Sequence, residues 1–132
     1  MTAGPSIAHR YQQVQVSTAD RGRLLMLMFE GALKFLARAE GTLAAGNLAD
    51  FGHHLGRAQA VIAELMHTLD HGAGGAIATN LERLYQFMLD HLVEANLQKS
   101  ARHVGQVSRL LETIAGAYGT ILAQGAAHVD AA

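Results

Sequence analysis

Six consecutive large apolar residues, Leu24-Leu25-Met26-Leu27-Met28-Phe29, lie inside a helical pattern and leave that part of the helix without a polar side. A helix that is apolar all round must be covered on more than one face. Further along, Ala32, Phe35, Leu36, Ala39 and Leu43 keep an apolar stripe at three- and four-residue spacing, while Glu30, Lys34, Arg38 and Glu40 take the other face. The surplus is therefore confined to the first turns. Leu25, Met28, Ala32, Phe35 and Ala39 form the stripe expected to face the domain, and Leu24, Leu27 and Phe29 are left to be covered by something else.

The helix ends are marked by their chemistry. Ser17-Thr18-Ala19-Asp20 has the spacing of a capping box with Asp in place of Glu, so helix one starts within residues 18–21. It runs to about residue 45, where Gly46 supplies a left-handed terminator and Asn47, with Asp50 three positions on, caps the next helix. Helix two, over residues 48–69, carries Leu48, Phe51, Leu55, Ala58, Ile62, Leu65 and Leu69 as a seven-residue seam. Three glycines within residues 70–75 then predict the longest internal loop. Helix three, over residues 76–97, shows Ile77, Leu81, Leu84, Tyr85, Met88, Leu92 and Ala95, with Phe87, Leu89 and Val93 widening its apolar surface. Ser100 caps helix four, over residues 101–123, whose seam is Val104, Val107, Leu111, Ile114, Tyr118 and Ile121.

Four amphipathic helices joined by short connections predict an all-α, antiparallel four-helix bundle over residues 17–123. A disordered tail follows over residues 124–132. Ahead of the bundle, residues 1–16 carry Ile7, Tyr11 and Val14 at i, i+4 and i+7, a face too short to be stable alone. Its order depends on finding a surface, and two roles are open to it: a lid folded over Leu24 and Leu27 when a partner is absent, or a part of the partner-binding site itself. The glycines at 31, 52, 56, 105, 116 and 119 lie inside helices, where they permit either close helix approach or, for all but Gly31, the floor of a shallow groove.

With 132 residues, half of them apolar, the chain has material for one core and one domain. A formal net charge of -1 offers no basic footprint for nucleic acid or an anionic membrane surface, so neither is an expected partner. The absence of cysteine excludes disulfide and thiolate chemistry. The opening MTAGPSIAHR lacks the apolar core of a signal peptide, and no apolar run approaches the roughly 20 residues of a membrane span. A cytoplasmic location is expected.

A helical bundle containing Glu64-Leu65-Met66-His67 invites comparison with di-iron carboxylate proteins, for which Glu30, Glu112, His91 and Glu94 could complete the count. The seams oppose it: with Ile62 and Leu65 inward, Glu64 and His67 point outward, and His91-Leu92-Val93-Glu94 runs in the reverse order. His67 and His71 have chelating spacing. Both also lie near the expected end of helix two, where cationic side chains meet unsatisfied carbonyls. His53 and His54 read as surface. Neither a nucleophilic group nor a phosphate loop can be assembled, so the expectation is a protein without catalytic residues, metal or cofactor.

The segments that resist a plain bundle also carry a resemblance. Tyr11-Gln12-Gln13-Val14, the run from Leu24 to Ala32, Ala58-Gln59-Ala60-Val61-Ile62-Ala63-Glu64-Leu65, Leu69-Asp70, Gly74-Gly75, Asn80-Leu81, Leu84-Tyr85-Gln86-Phe87-Met88 and Ala95-Asn96 follow in the order and spacing of the flagellar export chaperone family FliS. The chain resembles that family over residues 11–118. It departs at Phe29-Glu30, where the family usually has Tyr-Asp, at Arg21, often Pro, at Gln86-Phe87, commonly Asp-Tyr, and near Tyr118, often Trp. The resemblance implies a cytoplasmic chaperone that holds the disordered C-terminal segment of flagellin, stops it polymerising early and escorts it to the flagellar export apparatus; whether a flagellar regulator also binds is left open by the sequence. The residues expected to line the flagellin groove are Leu24, Leu27 and Phe29 from helix one, Tyr85 and Leu89 from helix three, and Tyr118 from helix four. The competing classes are a self-associating structural helical bundle and a bundle metalloprotein.

Overall fold

The first interhelical connection is built as its residues require. Gly46 takes φ 77°, the left-handed region open to glycine, and accordingly ends the first helix. Asn47 then closes a reciprocal cap: its Oδ1 accepts from the Asp50 backbone N–H at 3.2 Å, and its Nδ2 donates to Asp50 Oδ2 at 2.7 Å. In this computed structural model the backbone is described for residues 18–131 and the side chains for residues 20–124. Four helices follow one another: α1 (Thr18–Ala44), α2 (Leu48–His67), α3 (His71–Gln98) and α4 (Ala101–Ala131). They form an all-α, antiparallel bundle in which α1 packs on α2 and α4, and α3 closes the ring between α2 and α4. No described residue belongs to a strand.

Two boundaries differ from the sequence pattern. Residues 70–75 are not a loop: Asp70 Oδ1 accepts from the Ala73 N–H at 3.0 Å and starts a helical turn at His71. This first turn is separated from the body of α3 by a break at Gly75, whose φ 52° and ψ -124° are non-helical. Three glycines look like a loop by composition, but an aspartate cap is enough to fold one turn locally. The backbone of α4 also continues as helix through residues 124–131, a stretch whose alanines have the highest helix propensity. At the α3–α4 connection Ser100 caps as expected, its Oγ accepting from the His103 N–H at 3.2 Å.

The central seam positions are core. Phe51, Leu55, Ala58, Ile62 and Leu65 of α2, Tyr85, Met88, Leu92 and Ala95 of α3, and Val104, Val107, Leu111 and Ile114 of α4 are all buried. On α1 the buried set is Phe29, Ala32, Leu36 and Ala39, with Leu25, Met28 and Phe35 only half-buried. The expected single stripe is thus corrected to two adjacent ones, because α1 has two neighbours. Met28 and Phe35 lie toward α2, with Arg57 over the Phe35 ring at 5.4 Å. Phe29 faces α4, its ring 5.4 Å from that of Tyr118.

Candidate partner-binding surface

The core thins toward the end of the bundle where α1 and α3 begin and α2 and α4 finish. Small residues line this end: Gly22 on α1 and Ala73, Gly74 and Ala78 on α3. A groove of about 390 Å³ results, walled by Leu25, Leu69, Leu81, Tyr118 and Leu122 and rimmed by Ile77 and Ile121. Its polar neighbours are Arg21, Thr68 and Asp70. A second, shallower groove of about 450 Å³ runs along the outside of α1 and α2, lined by Leu27, Met28, Gly31, Ala60, Val61 and Glu64. The first turns of α1 therefore separate two apolar depressions.

The apolar side chains around them are open to solvent. Leu24 is 57% exposed, Leu27 64%, Ile77 71% and Ile121 62%. Leu24 and Leu27 are exposed, as the apolar run requires, and of the two only Leu27 lines a groove. Ile77 and Ile121 were expected in the seams; each lies beyond the last full layer of the core, where a seam position has nothing opposite it. Tyr118 is half-buried and lines the end groove, whereas Leu89 is half-buried, packs on the core and lines neither groove.

Phe29 and Tyr85 are corrected: both are fully buried, at 0% and 1% exposure. Phe29 is turned inward by the contact of α1 with α4, and Tyr85 by its place in the α3 seam. Ile7, Tyr11 and Val14, the lid or binding segment, lie outside the described residues. The helix-interior glycines that were candidates for groove floors line neither groove, and a Cβ at Gly56 or Gly116 would meet nothing within 4 Å. The close approach is instead at Gly22, where a Cβ would collide with Leu122 Cδ2. Gly31 lines the side groove.

Burial next to Tyr118 has an electrostatic consequence. Burial first, and the neighbouring phenol second, push the Tyr85 phenol well above its ordinary value of 10.0. The unfolded chain then loses this proton before the folded one, so the folded state is favoured below about pH 10 and loses stability as pH rises beyond it, toward the raised folded value. Urea titrations between pH 9 and 11 should show this decline, with a slope of up to about 1.4 kcal/mol per pH unit. Tyr85→Phe should flatten it.

A second cluster joins α3 to α4 away from these grooves. The Phe87 and His91 rings stack at 4.8 Å, the His91 and His103 rings lie 4.3 Å apart, and His91 Nε2 is 2.5 Å from Gln106 Oε1. His71 opens α3 instead of ending α2, so it does not share a helical face with His67, which stands 3.9 Å from Glu64. His54 is half-buried rather than surface. Glu30, Glu64, Glu112 and His67 are all exposed, which keeps them out of any ligand set in the bundle interior. No group of three or more metal-ligating side chains occurs among the described residues. No helix among them is long and apolar enough to cross a membrane.

The family model for the flagellar protein FliS matches residues 4–125 of this chain. The chain belongs to the FliS family. It is similar to the flagellar secretion chaperone FliSB of Pseudomonas aeruginosa, at 40% identity over 77% of this chain and 84% of the relative. It is also similar to the flagellar secretion chaperone FliS of Salmonella typhimurium, at 37% identity over 84% of this chain and 86% of the relative. A third relative, FliS of Vibrio cholerae, is 29% identical over 81% and 79% of the two chains. These relatives are named as chaperones of flagellar secretion, which accords with a site made of apolar grooves.

Proposed function

We propose that this FliS protein is a cytoplasmic export chaperone that holds the disordered C-terminal segment of flagellin, prevents its premature polymerisation and brings it to the flagellar export apparatus. The observation that carries this reading is the exposure by more than half of Leu24 and Leu27 at the start of α1, and of Ile77 and Ile121 on the end groove, in a chain with two apolar grooves. Single exposed leucines are ordinary, but several together along grooves mark an interaction surface. A chain disordered when free suits such a surface, because it can lay short amphipathic helices into successive grooves. Met26 and Met28, half-buried on α1, add packing that adapts to the segment's side chains.

Calorimetric titration of the intact protein with flagellin that keeps or lacks its C-terminal segment tests this. Binding is expected only with the segment present, with a negative heat-capacity change and little dependence on salt, as apolar burial requires. Equal binding by the truncated flagellin would overturn the proposal.

A further inference from the structure

His71 and Glu82 are eleven residues apart, which on one continuous α-helix separates them by about 16 Å along the axis, farther than the two side chains can span. Yet His71 Nε2 stands 3.3 Å from Glu82 Oε2. The break at Gly75 reconciles the two facts. Its φ 52° and ψ -124° match the first central position of a type II′ turn, which reverses the chain instead of continuing the helix. The short turn at His71 is therefore folded back along the side of α3. Gly74 fits the same geometry: a Cβ there would stand 2.9 Å from the Ala78 Cβ, closer than side chains of successive helical turns ever come.

This turn is also part of the end groove, to which it contributes Asp70, Ala73 and Gly74. It is internally rigid, because Asp70 Oδ1 accepts from the Ala73 N–H at 3.0 Å and the Asp70 carbonyl accepts from the Gly74 N–H at 2.7 Å. It is held to α3 more loosely, since the His71 and Glu82 side chains are about half exposed, at 47% and 51%.

We infer that residues 70–75 are a hinged wall of the end groove, folded back at Gly75 and latched to the body of α3 by His71 and Glu82. Straightening at Gly75 adds the turn to the start of α3, withdraws Ala73 and Gly74 from the groove and widens it for a bulkier apolar occupant. The consequence for flagellin rests on the function proposed above; the hinge itself does not.

The chain has no cysteine, so spin labels on Gly72→Cys and Arg83→Cys, both exposed positions, report the fold-back in the free, full-length protein. A close pair is expected in the otherwise unchanged chain. Gly75→Ala should shift the population toward the long distance by roughly tenfold, because an L-residue is strained at this φ and ψ. The added methyl meets nothing within 4 Å, so the shift is a backbone effect. D-alanine at position 75, introduced by ligating synthetic segments, is the mirror-image case and should restore the close pair. Glu82→Ala releases the latch and should shift the ratio by about two- to fivefold, the range of one exposed polar side-chain contact. A close pair that persists equally with L- and D-alanine would overturn the hinge, and so would a long distance in the otherwise unchanged chain. If Gly75→Ala unfolds the domain, the Glu82→Ala pair decides alone: an unaltered distance distribution rejects the latch. Failure of flagellin to bind would overturn the proposed function and leave the outcome of these distances intact.

Discussion

Replacing Phe29 by alanine is expected to lower the stability of the bundle by about 3–5 kcal/mol. Its ring is fully buried between α1 and α4, against Tyr118 at 5.4 Å. Removing it deletes apolar contact and leaves a void in a close-packed layer that relaxes only in part. Urea unfolding measures the effect as a fall in the transition midpoint at unchanged slope. Leu27→Ala, two residues away but 64% exposed, should stay within about 0.5 kcal/mol. The pair of variants separates the two roles that one apolar run combines. Equal losses would mean that Leu27 is core after all.

The converse is expected for partner binding. Leu24→Ala with Leu27→Ala should weaken the complex with the flagellin C-terminal segment by about ten- to a hundredfold, while leaving the unfolding midpoint nearly unchanged. Full burial of a leucine contributes about 1.5–3 kcal/mol. With 57% and 64% of their surfaces still exposed in the free protein, the two have roughly half of that left to contribute. Surface plasmon resonance should place most of the loss in the dissociation rate, as is usual for changes within one interface. A double variant that binds as tightly as the unaltered protein would remove this part of α1 from the site.

The seams were readable because coiled-coil spacing depends on local sequence alone: Phe51 to Leu65, Tyr85 to Ala95 and Val104 to Ile114 all went where their period sends them. The surplus at Leu24 and Leu27 was readable too, since no single helix face accommodates six consecutive apolar residues. Which member of the run turns inward was not. That depends on α1 having a second neighbour, α4, and this tertiary fact gives Phe29 to the core and leaves Leu27 outside. Tyr85 stood in the α3 seam, and burial there follows from the seam. The end groove was hidden for a different reason. It is lined by Gly22 of α1, Leu69 and Gly74 around the start of α3, and Tyr118 of α4, three stretches far apart in sequence. The clue was present in Ile77 and Ile121, apolar positions at the ends of their seams that run past the last full layer of the core. The fold-back at Gly75 could not be read from three glycines, since composition gives no sign that Asp70 caps a turn or that His71 reaches Glu82.

The central claim is that the grooves on either side of the α1 start hold the flagellin C-terminal segment. Hydrogen exchange of the intact protein, free and saturated with flagellin that keeps this segment, tests it most directly. Protection is predicted over residues 22–31 of α1, 60–64 of α2, 74–81 of α3 and 118–122 of α4, and should be absent with flagellin lacking the segment. Protection concentrated instead around Phe87, His91 and His103, with the α1 start unchanged, would contradict it.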